Sequence, residues 1–402
     1  MHAYLRAAML AGTLCVAGPT ALAAPITLDD ALARGRDASP RIAKAEAELK
    51  AAEARALQAG VAPNPELGID VENFSGTGPY RSFRQTETTL AISQSFELGG
   101  KRRARRAVAG AERDLARLAL AREVAALDYD VRAAHAELLA AEARGALARE
   151  SLGRARDLAR IATDLVDVGR DPPLRKLRAD ALVAEAEAEL AQTAGRFVTA
   201  RRRLAMLTAN DDPELSAVAG EPPRIAAAPP DTPSLDERIA AAGREAAQAR
   251  VRLARAQAVP DVTASGGVRH FREARETAII AGISIPLPLR DRNRGGIAAA
   301  EAETLAADAA LAQSRLEAGF DRKDAALRAT IAAERLAVLD GPSLAQAEEA
   351  ARLAEVGYRA GKFSLVELID AREALTAARR NIIEARLDRA LALAALARAA
   401  AQ

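Results

Sequence analysis

Between Lys101 and Arg170 the chain has no proline and repeats small or apolar residues with an unbroken spacing of four and three. The positions are Leu120, Val124, Leu127, Val131, Ala134, Leu138, Ala141, Gly145, Ala148, Leu152, Ala155, Ala159, Ala162 and Val166. This spacing puts all of them on one stripe of an α-helix, the pattern of a coiled-coil seam. Alanine fills 20 of the 70 positions, so partner helices can come close. A helix of this length spans roughly 100 Å. It must be a rod, because no compact domain is that wide. Gly169 and Asp171-Pro172-Pro173 then turn the chain into a returning helix, giving an expected helical hairpin over 100–208.

Composition narrows the field. The 402 residues are 28% charged and 50% apolar, with a formal net charge of +2. That charge density excludes a polytopic helical membrane protein, and the apolar fraction excludes a disordered chain. So balanced a charge offers no bulk field for nucleic acid, and no such partner is expected. Residues 1–23 read as a signal peptide for export. Arg6 is the positive region, Ala7 to Ala17 the short apolar stretch and Ala21-Leu22-Ala23 the cleavage signal. The single cysteine, Cys15, follows Leu14, where a lipid-anchoring signal has a small residue. Ordinary cleavage is therefore expected, leaving a mature chain without thiol chemistry. Beyond the signal, no uncharged apolar run reaches about 18 residues, so no transmembrane helix is expected.

Six of the 18 prolines crowd between Ala209 and Ser234. This connection (209–234) can be neither a long helix nor a central strand. It separates a first unit (24–208) from a second (235–402). Residues Thr88–Glu112 align without gaps onto Thr277–Glu301, 189 positions later, with eight identities in 25. The expected order of elements is helix, strand, strand, long helix, turn, helix, occurring twice. One helix is expected from Leu28 to Gly60, ended by Pro63 and Pro65. In the second unit a helical hairpin is expected over 291–400, bent near Gly341-Pro342 and turning around Gly357–Ser364.

The period changes from helical to two over 64–74, 86–98, 261–271 and 276–288. Leu67, Ile69 and Val71 alternate with Gly68, Asp70 and Glu72, and Leu90, Ile92, Phe96 and Leu98 alternate with polar or small residues. Gln94 interrupts the apolar set. Phe74, Tyr80, Phe83, Phe96 and Phe271 lie in or beside these segments. Short strands with one apolar face and aromatics near their ends suit a transmembrane β-barrel. A small soluble sheet is the alternative. Four strands cannot close a barrel, and lipid does not tolerate open edges, so a membrane sheet requires oligomerisation.

The doubled helix–strand–strand–helix plan resembles the TolC-like outer-membrane efflux proteins, as does the run Tyr358-Arg-Ala-Gly361-Lys-Phe-Ser364-Leu-Val-Glu367-Leu-Ile-Asp370-Ala371. Asn64-Pro65-Glu66-Leu67, Glu72-Asn73-Phe74-Ser75-Gly76 and Gln94-Ser95-Phe96-Glu97-Leu98-Gly99-Gly100-Lys101-Arg102 are similar to the cobalt–zinc–cadmium (CzcC-type) heavy-metal branch. The resemblance implies a mainly α protein with a small β part. It implies a homotrimer whose strands form one twelve-stranded outer-membrane β-barrel, continued by a coiled-coil periplasmic tunnel. It also implies a periplasmic adaptor and an inner-membrane resistance–nodulation–division transporter as partners, with outer-membrane lipid around the barrel. Such a duct exports heavy-metal cations passively and is not an enzyme. The chain carries no P-loop, no G-x-S-x-G and no His/Cys cluster, and no cofactor is expected. A duct for drugs or other small organic molecules is a second reading. A structural periplasmic coiled-coil protein is a third.

The resemblance also assigns residues. Glu367 and Asp370 match carboxylates at the periplasmic mouth. Three apart, they share a helix face, and a trimer would ring the opening with acids that favour cations. Taken alone, they are equally two solvated surface acids. Tyr358 matches a residue that helps hold the mouth closed. Its usual acidic partner is replaced by Arg175, so this latch departs from the pattern. Val168, Gly169 and Arg170 mark one tip and Gly357, Gly361 and Lys362 the other, where the family meets its adaptor. The same glycines also serve as plain helix C-caps. Lys101, Arg102, Arg103, Arg105 and Arg106 read as a solvated collar at the barrel–tunnel junction. His135 and His270 do not have metal-site spacing, and no metal ligands are assigned.

Overall fold

The computed structural model describes residues 25–170, 172–210, 212–220 and 232–401. The expected signal peptide with Cys15, Asp171, and residues 221–231 of the proline-rich connection lie outside them. Two helices, α1 (Leu28–Ala38) and α2 (Pro40–Gln58), come first. The single helix expected over 28–60 is thus divided. Pro40 disfavours helical backbone at the residue before it, and Ser39 is extended at φ −75° and ψ 117°. Strands β1 (Glu66–Glu72) and β2 (Glu87–Phe96) follow, then α3 (Lys101–Asp167) and α4 (Pro173–Thr208). Next come α5 (Leu235–Gln257), β3 (Val262–Phe271) and β4 (Glu276–Ser284). β4 stops short of residue 288 because Pro286 and Pro288 lack the N–H a strand needs. The last helices are α6 (Arg294–Val338), α7 (Leu344–Arg359) and α8 (Leu365–Ala399). A wide π-type turn joins α6 to α7, where Gly341, just before Pro342, leaves helical geometry at φ −100° and ψ −105°.

α3 is the spine and packs against α1, α2, α4, α5 and α8. None of its fourteen seam residues is exposed. Val131, Ala134 and Leu138 are wholly covered, in a cluster with Ile26, Leu32, Ile42, Leu127, Leu204 and Leu215. This waist is thicker than the rest because two irregular segments cross it. Ile26 and Ala217 form a parallel bridge, with Ile26 N–H donating to Ser216 O at 2.9 Å and Val218 N–H to Ile26 O at 3.1 Å. Among the described residues, no helix is long and apolar enough to cross a membrane.

The four strands form one antiparallel sheet in the order β1-β2-β3-β4, at the end of α3 that begins with Lys101. The register brings the repeats together. Thr88 and Thr277 both pair with His270, and Ser95 and Ser284 both pair with Thr263, so the 189-residue offset recurs as spatial equivalence. The register also sorts the faces. One face carries Leu67, Ile69, Val71, Leu90, Ile92, Phe96, Val262, Val268, Ile279 and Ile283, with no acid, lysine or arginine. Gln94 lies at the helical end of this face and donates to Pro63 O at 3.0 Å, which explains a polar residue there. The other face holds Glu66, Asp70, Glu72, Glu87, Thr89, Ser93, Ser265, Arg269 and Glu276. The apolar face is uncovered: Ile69 is 65% and Ile279 88% exposed.

His135 lies buried at the waist with its Nε2 3.3 Å from Ile26 O. Burial pushes its pKa below the usual histidine range, partly offset by that carbonyl. The unfolded chain therefore binds a proton that the folded chain refuses. Stability is lost as the pH falls through the ordinary histidine value towards the lowered one. Melting followed by circular dichroism is expected to show a larger loss for wild type than for His135→Gln between about pH 7 and pH 5. Equal slopes would remove His135 from the waist's pH dependence. Glu142, whose carboxyl burial pushes up, titrates in both proteins and drops out of the comparison.

Candidate functional site

The end of the helical region far from the sheet is made of two turns built alike. At the end of α3, Gly169 N–H donates to Val166 O at 3.0 Å and Arg170 N–H to Leu165 O at 2.9 Å. At the end of α7, Gly361 N–H donates to Tyr358 O at 3.0 Å and Lys362 N–H to Gly357 O at 2.8 Å. Both are Schellman caps, with Gly169 at φ 73° and Gly361 at φ 70°. Val168, Arg170, Gly361 and Lys362 are exposed. Gly357 differs: it is buried within the last turn of α7, and the Phe363 ring folds back over its bare Cα. The tips carry further exposed apolar residues that the sequence reading did not single out. Leu174, Leu177, Phe363 and Val366 are all at least 45% exposed. Their signal was apolar residues in the first turns after a cap, where no seam requires them.

Ser364 and Glu367 form a capping box at the start of α8. Ser364 N–H donates to Glu367 Oε2 at 2.6 Å, and Glu367 N–H donates to Ser364 Oγ at 3.3 Å. The backbone N–H of Ser364, then its hydroxyl, hold the Glu367 carboxyl below the usual range, so it is firmly anionic at neutral pH. Asp370 is exposed one turn further on. Tyr358 is half-buried against an apolar cluster of Leu158, Ala354, Leu365 and Leu368. Arg175, also half-buried, lies in the first turn of α4. The structure thus brings Tyr358 and the start of α8 together through one apolar cluster, which Leu182 of α4 also joins.

The basic run at the other end is only partly a solvated collar. Lys101 Nζ pairs with Asp261 at 2.8 Å, and Leu98 N–H donates to the same carboxylate at 3.1 Å. Arg105 pairs with Glu97 and donates to Val61 O at 3.3 Å. Lys101 ties the β2–α3 corner to the chain entering β3, and Arg105 braces the corner itself and ties it to the chain entering β1, while Arg102, Arg103 and Arg106 are exposed. Among the described residues, no group of three or more His, Cys, Asp or Glu could hold a metal ion.

The geometry so far is a two-faced sheet on a helical rod with two glycine-capped tips. The family model for outer membrane efflux proteins matches residues 29–210 and 233–402. The chain belongs to the outer membrane efflux protein family. It is 30% identical to the cobalt-zinc-cadmium resistance protein CzcC of Cupriavidus metallidurans over 371 residues, covering 90% of this chain and 86% of that one. It is 36% identical to the nickel and cobalt resistance protein CnrC of the same organism, over 71% of this chain and 69% of that one. Among solved structures, the outer membrane protein VceC of Vibrio cholerae superposes with a TM-score of 0.79 at 22% identity, covering 93% of this chain and 96% of that one. CusC gives 0.78 at 18% identity, with 92% and 91% covered. At these identities the two structures speak for the fold.

The efflux-family tips depend on glycine for two separate reasons, which substitution can tell apart. Gly169→Ala and Gly361→Ala each force a Cβ into left-handed backbone and are expected to cost about 1–2 kcal/mol. Gly357→Ala keeps helical backbone but sets its Cβ against Phe363, so its loss is expected to be relieved by Phe363→Ala. Thermal melts of the single and double variants decide this, with non-additivity restricted to the Gly357/Phe363 pair.

Proposed function

We propose that three copies of this chain form the outer-membrane duct of a tripartite heavy-metal efflux system. The observation that carries the reading is the sheet. One face is apolar and uncovered, the other is polar, and among the described residues edges β1 and β4 have no strand partner. Lipid has no hydrogen bonds to offer such edges. Joining β4 of one copy to β1 of the next satisfies them, and closure after three copies gives a twelve-stranded barrel. The apolar face then meets outer-membrane lipid, the polar face lines the pore, and the α3–α4 and α7–α8 hairpins project into the periplasm as a tunnel. Residues 1–23 are the cleaved signal that exports the chain.

The family and its relatives' names support an exit for divalent cations of the cobalt, zinc and cadmium type. The duct has no energy source, so an inner-membrane resistance–nodulation–division transporter drives export through a periplasmic adaptor. The adaptor meets the tips at Val168, Gly169, Arg170, Gly357, Gly361 and Lys362, with the exposed apolar residues beside them. Glu367 and Asp370 ring the mouth, and Tyr358 and Arg175 pack the helices that frame it.

Growth of a deletion strain, with and without a plasmid copy, tests the cargo. Sensitivity to zinc, cadmium, cobalt or nickel, restored by the plasmid, is expected. Sensitivity to lipophilic drugs alone would discard the metal assignment and keep the duct. The mouth is tested by Glu367→Gln with Asp370→Asn. Glutamine preserves the capping box, so charge changes without unfolding the turn. Block of single-channel current by divalent cations is expected to weaken in this double variant. Wild-type block would remove the acids from the mouth.

A further inference from the structure

Within the strands, the polar face sets the five carboxylates Glu66, Asp70, Glu72, Glu87 and Glu276 against a single strong base, Arg269, while the connections beyond the last rung carry Arg81, Arg84, Arg272 and Arg275 with Glu273. Three of the acids share the last rung away from the helices, where Glu72 pairs with Glu87 across one ladder and Phe271 with Glu276 across another. Arg269 stands one rung inward, between Thr89 and Ala278. Its guanidinium reaches Glu72 at 3.1 Å and Glu87 at 3.1 Å, and donates to Thr89 Oγ1 at 2.9 Å. One cation thus ties two of the three rim acids and bridges β1, β2 and β3. The apolar face behind it is complete, and the strands are already held by their ladders.

We infer that Arg269 is a specificity-determining residue of the exit, setting how strongly its outer rim favours cations. The inference rests on the duct reading, since only a closed barrel turns this face inward. A wall with five acids and no base attracts cations but also retains them, and divalent ions most. Conduction needs binding strong enough to admit an ion and weak enough to release it. Arg269 supplies the second half. Its single positive charge offsets one of the two negative charges of Glu72 and Glu87, so this rung holds cations less tightly than its acids alone would. Closing three sheets together repeats the arrangement three times around one opening, which multiplies the effect of a single substitution.

The alternative is a cross-strand pin that affects stability alone, and ion permeation separates the two. Purified wild type, Arg269→Gln and Arg269→Lys are reconstituted in planar bilayers, and reversal potentials are read across a potassium chloride gradient. Arg269→Gln is expected to raise the cation-to-anion permeability ratio about twofold or more, while Arg269→Lys keeps the wild-type ratio. A pin would instead be weakened in both variants with no change in either ratio, and that result overturns the inference. If Arg269→Gln does not assemble, Glu72→Gln with Glu87→Gln decides. In that background Arg269→Gln removes a charge with no partner left to pin, so adding it must raise the ratio, and an equal ratio with and without it again overturns the inference. Wild-type protein that forms no pores would instead count against the duct reading itself.

Discussion

Everything in this fold depends on how closely α3 lets its neighbours approach. Its stripe of alanine with scattered leucine and valine allows several helices to lie along one spine with little side-chain bulk between them. The largest cluster of large buried residues is at the waist, where Leu127, Val131, Leu138 and Leu204 are covered by α1, α2, α4 and the bridged segments at Ile26 and Ala217, with smaller clusters around Leu158 and Leu368 and around Leu336 and Ile382. Away from the waist the buried positions of the spine are mostly small, as at Ala148 and Ala162. The result is close helix–helix packing along the spine with little apolar bulk between the helices.

The sheet solves a different problem with the same economy. Its faces are sorted by register alone, and the 189-residue repeat places β2 and β4 in equivalent positions on either side of β3. The corners into the long helices are not equivalent. The first is held by charge, through Lys101 with Asp261 and Arg105 with Glu97. The second is held by stiffness and a side-chain amide, through Pro286, Pro288 and the bond from Asn293 Nδ2 to Ala254 O at 2.7 Å. Two copies of one plan have thus reached the same geometry by different chemistry.

Much of this was legible in the sequence because it is periodic. The seam of α3, the alternation at Leu67, Ile69 and Val71, and the break at Gly341-Pro342 all follow from local rules. Pro40 was an equally local signal that divides the first helix. Ser364-Leu-Val-Glu367 spells a capping box, so Glu367 has a structural duty that a reading focused on the mouth passed over. What could not be read was non-local: the strand order, the bridge between Ile26 and Ala217, and the partners of Lys101 and Arg105. Asp261 lies 160 residues from Lys101 in the chain, and nothing in either neighbourhood announces the other. For the tips, the sequence showed the glycines but not that the two turns share one hydrogen-bond pattern.

That shared pattern has a consequence for how such a protein changes. Each turn is closed by main-chain hydrogen bonds and one left-handed glycine, so its backbone shape does not depend on Val168, Arg170 or Lys362. Val168, Arg170 and Lys362 can be exchanged without redrawing the loop that carries them. Shape is held constant while chemistry is left open to selection, and a lineage built this way can vary the surface of its tips through single substitutions without first losing its fold.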